Sequence, residues 1–172
     1  NLGNLYLARG DLKSAEEMYK KTLAIEEGLG RKEGMANAYG NLGILYATRG
    51  GLKDAEEMFK KSLAIEEELG RKEGMASDYG NLGNLYLARG DLKSAEEMLK
   101  KSLAIEEELG RKEGMANSCN NLGVLFETGG DLKGAEEMYK KSLAIFASLG
   151  NKMMGRKVRS RIKELKKSKK EG

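Results

Sequence analysis

Few side chains in this sequence are equipped for chemistry. None of the 172 residues is His, so the commonest general base and metal ligand is missing. The one thiol, Cys119, stands where earlier segments carry Tyr39 and Tyr79. At a large-aromatic position it reads as a buried core group and not as a nucleophile. Carboxylates come in adjacent pairs: Glu16 and Glu17, Glu66 and Glu67, Glu106 and Glu107. Adjacent residues on a helix point apart, so these pairs read as solvated surface charge, not as an acid–base couple. Glycines are many, but no GxxxxGK[ST] stretch occurs, and the recurrent GNLG lies in a helical pattern whose amides are already bonded. The expectation is no enzyme, no cofactor and no metal site.

Side-chain amides are a different matter. Asn41, Asn81 and Asn121 recur at one position, Asn4 and Asn84 at another three residues on, and Asn37, Asn117 and Asn120 add to the same side. Asn offers both a donor and an acceptor, so a ladder of such residues can pair with the backbone of an extended peptide. The alternative is that Asn41 and its equivalents bond the neighbouring segment and orient the stack.

What must position these residues is a forty-residue repeat. Leu42 and Gly43 return as Leu2 and Gly3, Leu82 and Gly83, and Leu122 and Gly123; Ala55 returns as Ala15, Ala95 and Ala135. Residues 31–70 and 71–110 differ at only eight positions, and self-similarity at such a period marks a stacked repeat architecture. Each unit reads as two helices. Met35, Tyr39, Leu42 and Tyr46 share one face of the first, while Leu52, Ala55, Phe59, Ser62, Leu63 and Leu69 trace one face of the second. Gly50 and Gly70 sit where left-handed caps belong. Asp11, Asp91 and Asp131 stand at N-cap positions; Gly51 replaces them in the second repeat, with Asp54 in the first turn facing the dipole. First-type helices are expected near 32–49, 72–89 and 112–128, second-type ones near 12–29, 52–69, 92–109 and 132–149. Short turns between them force antiparallel neighbours.

Composition agrees. The sequence has no Pro and no Trp, and 34% of its residues are charged. A stacked array buries only the seams between neighbouring helices. No apolar run is long enough for a membrane span. The opening NLGNLYLARG reads as the back half of a helix and not as a signal peptide, which suggests a start inside a longer array. A single Cys excludes an internal disulfide framework and points to a reducing, cytoplasmic setting. The net charge of +4 is uneven: residues 151–172 carry ten basic and two acidic side chains, net +8, leaving −4 on the rest. In that basic segment Met154, Val158, Ile162 and Leu165 fall on one face, predicting a ninth helix that covers the last repeat.

The order Tyr39, Leu42-Gly43, Tyr46, Gly50, Ala55, Phe59 resembles the tetratricopeptide repeat (TPR) signature. The terminal Pro of that signature is absent; Glu27, Glu67, Glu107 and Ala147 take its place, and the longer second helix extends the period to forty. This long form is similar to the arrays of LGN/Pins adaptors and, less closely, of kinesin light chains. The resemblance covers residues 1–150. It implies an all-α fold: a right-handed α-α superhelix, a TPR solenoid of antiparallel helix pairs. Residues 1–150 would form four repeats and residues 151–172 a basic capping helix of the same domain.

In that family the inner face of the first helices lines a concave groove. Carried over by position, the groove residues are Asn37, Gly40, Asn41, Ile44, Thr48, Ser77, Gly80, Asn81, Asn84, Leu87, Asn117, Asn120, Asn121 and Val124. Gly40 and Gly80 each cost a mid-helix about 1 kcal/mol relative to Ala, which suits close approach of a ligand backbone or else mere tolerance of a poor helix former. Four of the eight positions that differ between the second and third repeats fall on this face. That pattern fits a common frame with a varied binding strip, or drift at exposed sites. Chaperone-binding TPR domains clamp a C-terminal carboxylate with Lys and Arg here, whereas the matching positions of this sequence carry no cation, which argues against that role.

The expected function is a protein–protein interaction scaffold holding an extended peptide of a partner, with no small-molecule substrate and with homo-oligomers conceivable through the array ends. A rival reading is a structural scaffold, natural or engineered from a consensus, with no dedicated ligand. A third is weak nucleic-acid binding through the basic tail, which the lack of interleaved aromatic residues disfavours.

Overall fold

The structure is a computed structural model that describes residues 2–171, with side chains through Lys167. The tail cations Lys169 and Lys170 therefore have side chains outside the described residues. Among those residues the chain is all helix: α1 (Leu2–Ala8), α2 (Leu12–Gly28), α3 (Lys32–Thr48), α4 (Leu52–Glu68), α5 (Lys72–Arg89), α6 (Leu92–Glu108), α7 (Lys112–Thr128), α8 (Leu132–Ser148) and α9 (Lys152–Glu171). The bounds that periodicity and caps predict for α2 to α8 agree with these to within about a residue at either end.

The ends form for the reasons the sequence states. Asp11, Asp91 and Asp131 accept from the backbone N–H three residues on, satisfying one of the orphan donors of α2, α6 and α8. Gly51 gives α4 no such bond. At the C-terminal end of α4, Gly70 takes φ +64°, and the Arg71 N–H returns to the Glu66 carbonyl at 2.9 Å. That reversal needs a residue free of the Cβ penalty at left-handed φ.

The chain divides into two compact units, Asn1–Leu85 and Tyr86–Gly172. In the first, α1 packs on α2, α2 on α3 and α3 on α4. Ala15, Tyr19, Leu42 and Leu45 form its core, with Tyr6, Leu12, Leu23 and Met58 against it. Close approach is built in: a Cβ on Gly43 would lie 2.5 Å from the Phe59 ring, so the two helices of that hairpin meet only because position 43 has no side chain.

In the second unit, α6 packs on α7, α7 on α8 and α8 on α9. Ala95, Leu99, Leu122 and Leu125 form one cluster. A second joins Ala116, Ala135, Tyr139 and Phe146 to Val158, Ile162 and Leu165 of α9, with Met154 partly buried beside them. α9 thus turns an apolar face onto α8 and leaves its described cationic side chains exposed. No helix among the described residues is long and apolar enough to cross a membrane.

Candidate functional site

In the first unit the candidate residues lie on α3 and on α5 up to Leu85. Asn37, Ile44 and Thr48 are exposed and Asn41 is half-buried, one face at steps of four, three and four. Ser77, Asn81 and Asn84 repeat that pattern on α5, with Asn81 half-buried and its neighbours exposed. Among the described residues no hydrogen bond engages the side-chain amide of Asn41 or Asn81. The Thr48 hydroxyl turns back to the Ile44 carbonyl at 2.8 Å, local bonding that leaves the face open. Gly40 looks elsewhere: a Cβ there would sit 3.7 Å from Ser62 Oγ and 3.9 Å from Asp78 Oδ1, so it adjoins the seam with α4 and α5. Gly80 is half-buried.

In the second unit, Asn117 is exposed, while Asn120 and Asn121 are half-buried, the Asn120 amide donating weakly to Asn121 Oδ1 at 3.4 Å. Leu87 and Val124 are half-buried and packed against apolar clusters, Leu87 against the one that holds Leu99 and Val124 against the one that holds Tyr139. Of the three apolar groove candidates, Ile44 is the one that stands exposed, at 41%.

Two features of the seams escaped sequence reasoning. The first is Asp78, which is buried at 4% exposure in the first unit, next to Ser62 of α4. The single Ser62 proton goes to the Ala36 carbonyl at 3.0 Å, so a neutral Asp78 can donate to Ser62 Oγ whereas an ionised one cannot. Burial pushes the Asp78 carboxyl up to about 7, with the Glu66 charge acting in the same direction; only a Ser62 hydroxyl turned away from Ala36 to donate to the carboxylate would lower it. The signal was present in the sequence: position 78 aligns with Ala38 and Ser118, two small residues, and both of those are buried too. Ser118 meets Ser102 at 3.2 Å, the neutral counterpart of the Asp78–Ser62 contact.

The second feature corrects the reading of the paired carboxylates. Glu66 and Glu106 are buried, at 2% and 5% exposure, and only their successors Glu67 and Glu107 face solvent. The Glu66 carboxylate lies over Gly74 at the start of α5, where a Cβ would come within 2.1 Å, and pairs with Arg71 Nε at 3.4 Å. Glu106 covers Gly114 in the same way, and Glu26 covers Gly34. Alternation on a helix surface ruled out mutual contact within each Glu pair, but it could not say which member faces the next helix. Burial holds the Glu66 carboxyl above its ordinary range, with Arg71 opposing.

Several other polar groups near these seams pair with one another. Tyr39 and Tyr79 donate to Glu27 and Glu67 at 3.2 and 2.9 Å, and Lys61 sits 5.6 Å over the Tyr39 ring. Lys20 and then Arg49 hold Glu16 down at about 2. Cys119 is buried and its thiol is pushed up by burial, the opposite of activation. No group of three or more potential ligands among the described residues is placed to hold a metal ion.

Similarity to known proteins follows the same lines. The tetratricopeptide repeat family model matches residues 1–68 and 74–148. No curated protein matches the sequence. Among solved structures, BtubC (BKLC) from P. vanneervenii superposes with a TM-score of 0.76 at 22% identity, over 98% of this chain and 78% of that one. A putative kinesin light chain from Podosopora anserina with nearly identical TPR-like repeats gives 0.71 at 18% identity, over 99% and 94%. The apo form of RapI gives 0.84 at 16% identity, over 98% of this chain but 47% of its own length. At these identities the likeness is one of fold. With its period, its helix hairpins and its glycine-mediated close approaches accounted for, the chain belongs to the tetratricopeptide repeat family.

Proposed function

We propose that this chain is a protein–protein interaction module whose first-type helices hold an extended segment of a partner through side-chain amides. The observation that carries the reading is the pair Asn41 and Asn81. They share one register on α3 and α5, are half-buried, and have no hydrogen-bond partner for their amides among the described residues. A partly desolvated amide left unpaired costs about 1–3 kcal/mol, which a bound peptide backbone, offering both N–H and C=O, would recover. Asn37, Ser77 and Asn84 flank them, and Ile44 supplies an exposed apolar contact. Asn117, Asn120 and Asn121 form a corresponding set in the second unit. The module acts without cofactor or catalytic chemistry, in the cytoplasm.

These groups are neutral, so affinity at this face depends only weakly on salt. A single short peptide making such contacts binds in the micromolar range, about −8 kcal/mol. The test is a peptide-library selection on the intact protein, followed by titration of the selected peptides against the Asn81→Ala, Asn84→Ala double variant. Loss of affinity with an unchanged denaturation midpoint is the expected result. Equal binding by parent and variant would leave the amides as structural groups, and failure to select any ligand would favour a scaffold with no dedicated partner.

A further inference from the structure

The last hairpin departs from its predecessors at one place. Where the second and third repeats carry Glu66-Glu67-Glu68 and Glu106-Glu107-Glu108, α8 ends in Phe146-Ala147-Ser148. Three carboxylates are gone. The helix that follows replaces Glu33, Glu73 and Glu113 with Met153, and sets Arg159 where Tyr39 and Tyr79 stand. The Phe146 ring is fully buried, yet beside it an open cleft of about 540 Å³ remains between α8 and α9. Leu143, Phe146, Ala147 and Gly155 wall it, and Lys152, Arg156 and Arg159 rim it. The three cations are exposed, and none makes a side-chain ion pair among the described residues. Arg156 instead turns its Nε to the Lys152 carbonyl at 3.3 Å.

A cleft of this size has ample room for an aromatic side chain with its flanking residues, and the unneutralised rim sets the charge of whatever brings it. The geometry points to a second docking site, in the α8–α9 cleft, for an acidic peptide segment of a partner protein that inserts one apolar or aromatic side chain between flanking carboxylates. The apolar wall distinguishes this from a general polyanion surface. Phosphate chains would use the cations and gain nothing from Leu143, Phe146 or Ala147, and no aromatic ring on α9 is available for base stacking.

The experiment is a fluorescence-anisotropy titration of the full chain with a short labelled peptide of Asp and Glu around a single Phe. Its Ala-for-Phe counterpart and a single-stranded oligonucleotide of equal charge are run beside it. The Phe peptide is expected to bind best and to weaken as salt is raised. Arg156→Glu with Arg159→Glu, both exposed and outside the core, should lower its affinity by about tenfold or more. Ala147→Phe places a ring against the apolar wall without changing charge and should bring the Phe peptide down to the level of the Ala peptide. Equal binding of the two peptides, indifference to Ala147→Phe, or tighter binding of the oligonucleotide would each overturn the proposal, as would no binding at all. The asparagine variants should leave this titration unchanged, so the two sites stand or fall separately.

Discussion

Asp78 is the residue at which local chemistry bears most on the whole. Its carboxyl is raised to about 7 in the folded chain, whereas an unfolded Asp titrates near 4. The folded state therefore keeps its proton over a range where the unfolded chain has released it. Stability from this group is complete below about pH 4, falls as pH rises towards 7, and is level above. The full linkage amounts to about 4 kcal/mol at most. Asp78→Ser, which copies the Ser118–Ser102 contact, should raise stability at pH 8 by roughly 2–3 kcal/mol and flatten the slope between pH 5 and 7. Urea midpoints of parent and variant across that interval test it; parallel curves would mean the carboxyl is solvated. Glu16, held low by Lys20 and Arg49, works in the opposite sense, losing its contribution only as pH drops towards about 2. Cys119 belongs at this scale as well. It should label slowly in the native protein, since its thiol is both buried and poorly ionised. Cys119→Tyr should restore the Tyr–Glu bond of the earlier repeats, now to Glu107, and gain up to about 1 kcal/mol in thermal or urea unfolding.

Between helices, the decisive distances are those at which no side chain fits. Gly43→Ala would drive a methyl to 2.5 Å from the Phe59 ring, so α3 and α4 would have to separate. A loss of about 1–3 kcal/mol is expected, read from the urea midpoint, with peptide binding retained if the first-helix face keeps its register. Phe59→Leu, the residue found at Leu99, should relieve part of that strain in the double variant. These helices and their caps were legible in the sequence because each signal is local: Asp before a helix, Gly after it, apolar residues on one stripe. The seams were less legible. Whether Glu66 or Glu67 turns inward, or whether Asp78 lies under a neighbour, depends on the angle at which one hairpin meets the next. Periodicity within a single helix carries no such information. The same limit explains why Leu87 and Val124 lie further into the apolar clusters than a groove-lining role implies.

For the molecule as a whole, α9 is expected to contribute strongly to durability. Removing residues 151–172 strips Val158, Ile162 and Leu165 from the cluster that holds Tyr139 and Phe146. Each such side chain is worth about 1.5–3 kcal/mol as an upper estimate, so the shortened chain should unfold at clearly lower denaturant and bind hydrophobic dye on the uncovered face. An unchanged midpoint would mean that α9 contributes only charge. The balance of −4 on the repeats against +8 on the C-terminal segment also makes that segment the salt-sensitive part of the molecule.

The carboxylate-over-glycine contact gives the array a direction of growth. Each internal repeat ends in a plug, Glu26, Glu66 or Glu106, and the next begins with the matching socket, Gly34, Gly74 or Gly114. Any repeat inserted by duplication arrives with both halves of the coupling, so forty-residue units can be added or deleted in the interior without redesigning a joint. The last joint breaks this rule. Phe146 has no place over a glycine socket, and α9 offers Met154 where the socket would be. The α8–α9 junction therefore lacks the coupling found at the other joints, so a forty-residue unit could not be inserted there without a new contact to replace it.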